Sequence, residues 1–379
     1  MQQLPPAPVP SPDGDADSSP PDTTNNNTGW YLDRIEVRGP EGEQWVFPCG
    51  TWLGRGSGGG EGGVTTGGAE EEGAEERNLI PTDPRRDVNR SSLHDPIRRI
   101  TRPLRIEASG ISLPHPEKVQ TGVKGMNRRG SGYGGEDAYF YASNRNGIFA
   151  LGVADGVYEW RNTGIDAGEF SQQLMEFCRQ AVELGTTDVL RVLQFAVKHI
   201  RRAGTKGSTT VCLALVDTLQ GRLAAANIGD SGFMLLGRGV GSHRGDGSSR
   251  GQLQVRYRSP QQEHSFGHPY QLGHHAGADS ADDAMLSTMP MYPGDVLVMG
   301  SDGLFDNLHD EEIVQLVEAG TLQGQSTGSM AQSLAFAAFG ASVDKQKVTP
   351  FSLGASEAFD MVYNGGKADD ITALVMEID

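Results

Sequence analysis

Cysteine is scarce in this 379-residue chain. Cys49, Cys178 and Cys212 are odd in number and far apart. They give no disulfide framework, and a reducing compartment is the simpler setting. Long apolar runs are missing as well: none approaches the roughly 18–20 residues that a membrane-crossing helix needs, so no transmembrane segment is expected. Basic residues are outnumbered, 32 Lys and Arg against 49 Asp and Glu, for a net charge of −17. That balance argues against nonspecific binding to nucleic acid or to anionic lipid. The opening Met1-Gln-Gln-Leu-Pro-Pro-Ala-Pro has neither the hydrophobic core of a secretion signal nor the arginine-rich character of a transit peptide. A soluble intracellular protein with no readable address is the expectation.

What the chain does have is a set of apolar strands that end in acid. Ile148 to Ala154 runs into Asp155-Gly156. Val296 to Met299 leads through Gly300-Ser301 into Asp302-Gly303, with Asp306 one helical turn on. Asp369-Asp370 stand just before Ile371 to Met376, and Gly134-Gly135-Glu136-Asp137 lead into Ala138 to Ala142. Continuous runs rich in branched residues read as buried strands. One strand followed by Asp-Gly is more often a turn than a site. Four acidic clusters at strand ends are different: converging carboxylates repel unless a cation stands between them. Hard oxygen ligands of this kind suit Mg²⁺ or Mn²⁺ rather than zinc.

At these residues the chain resembles the metal-dependent serine/threonine protein phosphatases of type 2C. The blocks that carry the resemblance are GGEDAYF (134–140), LGVADGVYEW (151–160), KGSTTVCLALVD (206–217), ANIGDSGFMLLG (226–237), GDVLVMGSDGLFDNL (294–308) and GGKADDITALVMEI (365–378). DGVxxW at 155–160 and QxxHxFxxPYQL at 261–272 look most like a compact branch found in mitochondria and plastids. The resemblance implies a two-metal site, with phosphoproteins as substrates. Asp155 would bridge both ions and the carbonyl of Gly156 would bind one. Glu136 would share that ion, with Asp137 supporting it, while Asp302 and Asp369 would hold the other and Asp306 a looser third. Asp155, Asp302 and Asp369 would thus act through metal-bound water, with no protein nucleophile.

Two positions depart from the family's common form. The histidine that often follows Asp-Gly is Val157 here, and the phosphate-gripping arginine four residues before the acidic pair is Gly132. Arg128, Arg129 or Lys124 are the candidates to supply that positive charge. Other motifs carry less. Gly229-Asp230-Ser231-Gly232 is similar to a serine-protease nucleophile loop but reads as a hairpin turn. His264, His268, His274 and His275 lack a cysteine pair for zinc and read as a mobile loop.

The first hundred residues have another organisation. Residues 1–28 are Pro/Ser/Asp/Asn-rich and are expected to be disordered. Residues 54–102, Gly- then Glu-rich, read as a flexible linker. Between them, WYLDRIEV and WVFPCGTWL (within 29–53) read as a two-strand hairpin and resemble the end of a PLAT (lipoxygenase-homology) sandwich. That resemblance implies lipid or protein targeting. The segment is either the close of a longer PLAT–phosphatase chain, which would account for the missing address, or a remnant.

Residues 103–379 are expected to form the phosphatase domain: an α+β, α/β/β/α sandwich of two antiparallel sheets with helix pairs outside. Helices are expected over 171–182, over 190–200 after an N-cap in Thr186-Thr187-Asp188, from Asp310 to a stop at Gly320, and over 330–339 after a Ser329 cap. The function expected is hydrolysis of phosphoserine and phosphothreonine in proteins, by a monomer. The alternatives are a catalytically weak scaffold recruiting a partner through its aromatic N-terminal island, and a small-molecule phosphate ester hydrolase.

Overall fold

The computed structural model describes residues 102–120, 122–123, 125–238 and 251–379, and the backbone of 30–38 and 44–53. The chain divides into two compact units, Met1–Leu79 and Ile80–Asp379. In the first, Trp30–Arg38 and Gln44–Leu53 pair antiparallel, with an irregularity between Leu32 and Arg34. The hairpin therefore forms as its alternation requires. The segment read as disordered (1–28) and, but for Arg102, the one read as linker (54–102) lie outside the described residues.

Two antiparallel sheets build the second unit. One has seven strands, ordered 285–290, 222–228, 211–217, 148–155, 137–143, 131–134 and 125–128. The other has five, ordered 253–258, 232–238, 296–300, 371–378 and 106–113. Their facing sides bury Leu151, Val153, Phe233, Leu297 and Leu374 in a shared core. On the outer face of the larger sheet lie the helices Ala167–Glu183 and Val189–Ala203, through Leu174, Leu193 and Ile200. Asp310–Leu322 and Thr327–Ser342 cover the smaller sheet through Ile313, Val317 and Leu334. The four-layer sandwich expected from the sequence is the observed fold, because the central strands 148–155, 211–217, 232–238, 296–300 and 371–378 are buried along almost their whole length and need cover on both faces. Cys178 and Cys212 are buried and free.

Several local readings are corrected. Gly320 does not end its helix; it sits inside Asp310–Leu322, where a Cβ would press 2.5 Å from Met330 Cγ. The fourth helix starts three residues earlier than expected, because Ser326 and not Ser329 accepts the capping N–H. The first helix starts at Ala167, four residues earlier than expected, with Asp166 as its cap. A further helix, Pro350–Phe359, opens with proline at its first turn and Thr349 as cap. The turn at Gly229–Ser231 does not close a hairpin. Strand 222–228 lies in the larger sheet and 232–238 in the smaller, so this turn carries the chain across the sandwich. Gly229, at φ +98°, makes the bend that a side chain would resist. The histidine-rich stretch forms short paired strands, Glu263–Ser265 with His268–Pro269 and Leu272–Gly273 with Ser208–Thr209.

Candidate metal centre

All the carboxylates singled out in the sequence except Asp306 sit at strand ends, on one lip of the sandwich. Asp137 opens its strand directly opposite Asp155, which closes the neighbouring one. From the smaller sheet, Asp302 follows strand 296–300 and Asp369 precedes strand 371–378. The two sheets are tied here by side chains: the hydroxyls of Ser301 and Thr372 each donate to Asp137 Oδ2 at 2.7 Å. The N–H of Gly156 donates to the Glu136 carbonyl at 3.1 Å, which sets Gly156 beside Glu136. Asp306 joins one turn later, its N–H bonded to the Asp302 carbonyl at 2.7 Å.

Four residues that sequence reasoning passed over complete the cluster. Lys367 pairs with Asp302, with Asp306 at 3.0 Å and with Asp369 at 3.4 Å. Lys118 lies 2.6 Å from both Glu136 and Asp370. Arg161 pairs with Glu136 from the short helix that follows Val157. Asp230, on the turn between the sheets, is buried and faces Asp302 and Asp306. Asp370 acts inside the fold: its carboxylate accepts the N–H groups of His115 (2.7 Å) and Glu136 (2.8 Å).

Electrostatics divides these acids in two. Burial and the charge on Asp370 hold the Asp137 carboxyl well above the ordinary range. Burial and the carboxylates of Asp137, Asp302 and Asp369 do the same to Asp155. Asp230 is raised by burial and then by Asp302. Asp306 is pushed up to about 6 by burial, against the pull of Lys367. At Asp302 and Glu136 burial is outweighed, by Lys367 at the first and by Lys118 and Arg161 at the second, and both stay below their ordinary values. A cluster whose members are forced toward the neutral form is short of positive charge.

Whether the residues fit divalent cations can be judged from their free oxygens. Asp137 Oδ1, Asp230 Oδ1 and Asp302 Oδ1 are buried with no hydrogen-bond partner, an arrangement that costs free energy unless a cation answers it. Every donor in the group is a hard oxygen, as Mg²⁺ and Mn²⁺ require. Among the described residues no three acidic, His or Cys side chains close on one ion-sized point. Lys367 and Lys118 draw the carboxylates toward their ammonium groups instead. The donor chemistry fits, and the lysines hold the acids apart.

The phosphate-binding candidates fare differently. Arg128 stands at the turn of the 125–134 hairpin, where its Nε bonds Ser131 Oγ at 2.9 Å. It is three residues along its strand from Gly125, which pairs with Gly134 beside the acids, or about 10 Å at strand spacing. The structure brings neither Arg128 nor its neighbour Arg129 to the carboxylates, and Lys124 lies outside the described residues. Gly132 is closed to any side chain: a Cβ would stand 2.6 Å from Tyr139 Cε1 and 2.8 Å from Asn127 Oδ1. Among the described residues the histidines form no three-ligand cluster. His264 stacks on Tyr270 at 4.0 Å and reaches Asp279 at 3.2 Å, and His274 packs 4.7 Å from Trp160.

No family model matches the chain. Among curated proteins it is 37% identical over 278 residues to probable protein phosphatase 2C 55 of Arabidopsis thaliana, covering 73% of this chain and 52% of that protein. It is 35% identical over 291 residues to probable protein phosphatase 2C 26 of the same plant, covering 73% of this chain and 86% of that one. The chain thus spans about half the length of the first relative and most of the second. Among solved structures it is similar to the photosystem II phosphatase PBCP: TM-score 0.58, 30% identity, 73% of this chain and 99% of that one.

Proposed function

The chain belongs to the type 2C protein phosphatases, and from that premise we propose that it hydrolyses phosphoserine and phosphothreonine in proteins at a binuclear Mg²⁺ or Mn²⁺ centre. One observation carries the reading: acids from both sheets meet at a single lip and leave three buried carboxylate oxygens without partners. Asp155, Gly156 and Glu136 would hold one ion, with Asp137 behind them. Asp302 and Asp369, bridged by Asp155, would hold the second, and Asp306 with Asp230 a looser third. When bound, two such ions would activate water for attack and offset the charge on the phosphoryl oxygens.

The chain's own residues do the rest. Asp137, held by Ser301 and Thr372, fixes one sheet against the other and keeps Asp155 and Asp302 within reach. Val157 brings no proton donor; its N–H is spent on the Ser208 carbonyl at 2.9 Å. With Gly132 shut, the substrate phosphate needs another cation, and Arg161 and Lys118 are in place beside Glu136. Arg161→Met is expected to raise both the KM for a phosphopeptide and the inhibition constant of inorganic phosphate about tenfold, the scale of one charged hydrogen bond. A change confined to Mn²⁺ half-saturation would assign Arg161 to holding Glu136 alone.

The organellar setting and the PLAT-like targeting role of 29–53 belong to this proposal. Their support is the quoted sequence blocks and, for a plastid, the photosystem II phosphatase among the similar structures. The experiment is hydrolysis of p-nitrophenyl phosphate and of a phosphothreonine peptide by the full chain, with Mn²⁺ and then EDTA. Metal-dependent turnover of both, lost in Asp302→Ala, is the expected result. Turnover of the small ester alone would favour a small-molecule hydrolase, and Mn²⁺ binding without turnover a scaffold.

A further inference from the structure

A band of exposed apolar side chains runs from the acidic centre along the helix Pro350–Phe359 and the turn after it. Leu353, Phe359, Met361, Val362 and Tyr363 are 53, 54, 61, 87 and 40% exposed. So dense a set on one short segment differs from the scattered single residues normal on a surface, and marks an interaction site. The segment is held in shape. Asp360, at φ +51°, ends the helix in the left-handed region and turns the chain outward. Ser356 then fastens the turn: its carbonyl accepts the Met361 N–H at 3.2 Å and its Oγ the Tyr363 N–H at 2.9 Å.

The band is rooted in the centre. The Phe351 N–H donates to the Asp306 carbonyl at 3.0 Å. The Phe351 ring lies 5.8 Å from Lys367 Nζ, which bridges Asp302, Asp306 and Asp369. From Phe351 the rings continue to Phe266 at 5.8 Å, Phe359 at 5.6 Å and Tyr363 at 6.0 Å. Phe266 tips the 263–269 hairpin, whose base is tied to the turn of Asp230 by the Gln262 N–H on the Gly229 carbonyl at 2.9 Å. Both walls of the band thus start beside acids of the centre, so a peptide whose phosphate sat there would have these rings within reach of its neighbouring residues.

We propose that this band docks the phosphoprotein substrate itself, taking a large apolar side chain that lies several residues from the phosphorylated serine or threonine. An extended peptide covers about 3.3 Å per residue, so each ring-to-ring step is roughly two residues. An anchor two or three steps out then stands about four to six residues from the phosphoresidue. Specificity would come from the apolar anchor, and the centre would read only the phosphate. This inference rests on the proposed phosphatase activity.

The test uses the full chain and two fluorescent phosphothreonine peptides, one with leucines and one with serines four to six residues to either side. Binding is read by anisotropy and needs no turnover; p-nitrophenyl phosphate hydrolysis is followed separately. The leucine peptide should bind at least tenfold tighter to the wild type. In the Met361→Ser/Val362→Ser double variant the preference should fall within twofold, with p-nitrophenyl phosphate turnover unchanged. Equal binding of the two peptides by the wild type, or a preference that survives the double variant, overturns the proposal. So does a wild-type dimer by light scattering that becomes monomeric in the variant, since the band would then join two copies. Anchor-dependent binding without any p-nitrophenyl phosphate turnover would keep the docking surface and remove the phosphatase reading.

Discussion

Asp155→Asn is expected to lower turnover by about 10³-fold or more while the protein melts, in EDTA, at the wild-type temperature or slightly above it. The loss follows from position: Asp155 stands opposite Asp137 in the larger sheet and close to the carboxylates of Asp302 and Asp369 from the smaller. Removing a bridging charge forfeits about 4 kcal/mol of transition-state stabilisation, a thousandfold in rate. Stability should move the other way. Burial and three neighbouring carboxylates raise the Asp155 carboxyl. A group raised in the folded state costs stability at every pH above its folded value, because its ionised form is better off in the unfolded chain. Asparagine removes that cost and keeps the shape. In Mn²⁺ the order should invert, with the wild type gaining melting temperature by ligand linkage and the variant gaining little. Thermal melts with and without Mn²⁺, beside p-nitrophenyl phosphate kinetics, check both halves. A variant that melts well below the wild type in EDTA would give Asp155 a structural role instead.

Gly303→Ala should be among the most damaging single methyls that the described residues allow. A Cβ at 303 would overlap the backbone carbonyl oxygen of Asp370, where no rotamer change can relieve it. The short helix that begins at Asp302 must then move away from strand 371–378, and Asp302 parts from Asp369. Overpacking of this kind costs about 1–3 kcal/mol, or some 2–4 °C of melting temperature per kcal/mol in a domain of this size. Activity should fall by on the order of 10²-fold even where the protein stays folded, since an ångström of misplacement is enough. Gly340→Ala is the control. It lies in the helix Thr327–Ser342 with nothing within 4 Å of the new methyl, and should stabilise by about 0.5–1 kcal/mol. Circular-dichroism melts of the two variants, with turnover at a temperature where both are folded, decide the matter. Equal behaviour would show that the 302–303 bend is slack.

The sandwich was legible because its strands are unusually plain. Ile148 to Ala154 and Val296 to Met299 carry no polar side chain, Ile371 to Met376 only Thr372, and each meets an aspartate where the sheet ends. The acids named for the centre come together for that reason. Of the cations that organise them, Lys118 was hidden by distance along the chain, 252 residues from Asp370, while Lys367 stood two residues before Asp369 in a block read only for its acids. Arg161 stood one residue past a block already read, in the open on a short helix. Asp230 was passed over because Gly-Asp-Ser-Gly satisfies turn chemistry by itself. Such residues serve a bend and a site alike, and only the crossing between sheets, invisible in sequence, tells the two apart. Helix ends erred where two candidates of one kind compete, as with Ser326 and Ser329.

The centre draws Asp137 and Asp155 from one sheet and Asp302 and Asp369 from the other. The sandwich therefore works as a calliper, with the sheets as jaws and the side chains between them as the stop that sets the opening. Leu151, Phe233, Leu297 and Leu374 touch no phosphate, yet their thickness fixes how far apart the acids stand. A methylene gained or lost there changes the gauge before it threatens the fold. The dry middle of the protein is in this sense part of its measuring instrument.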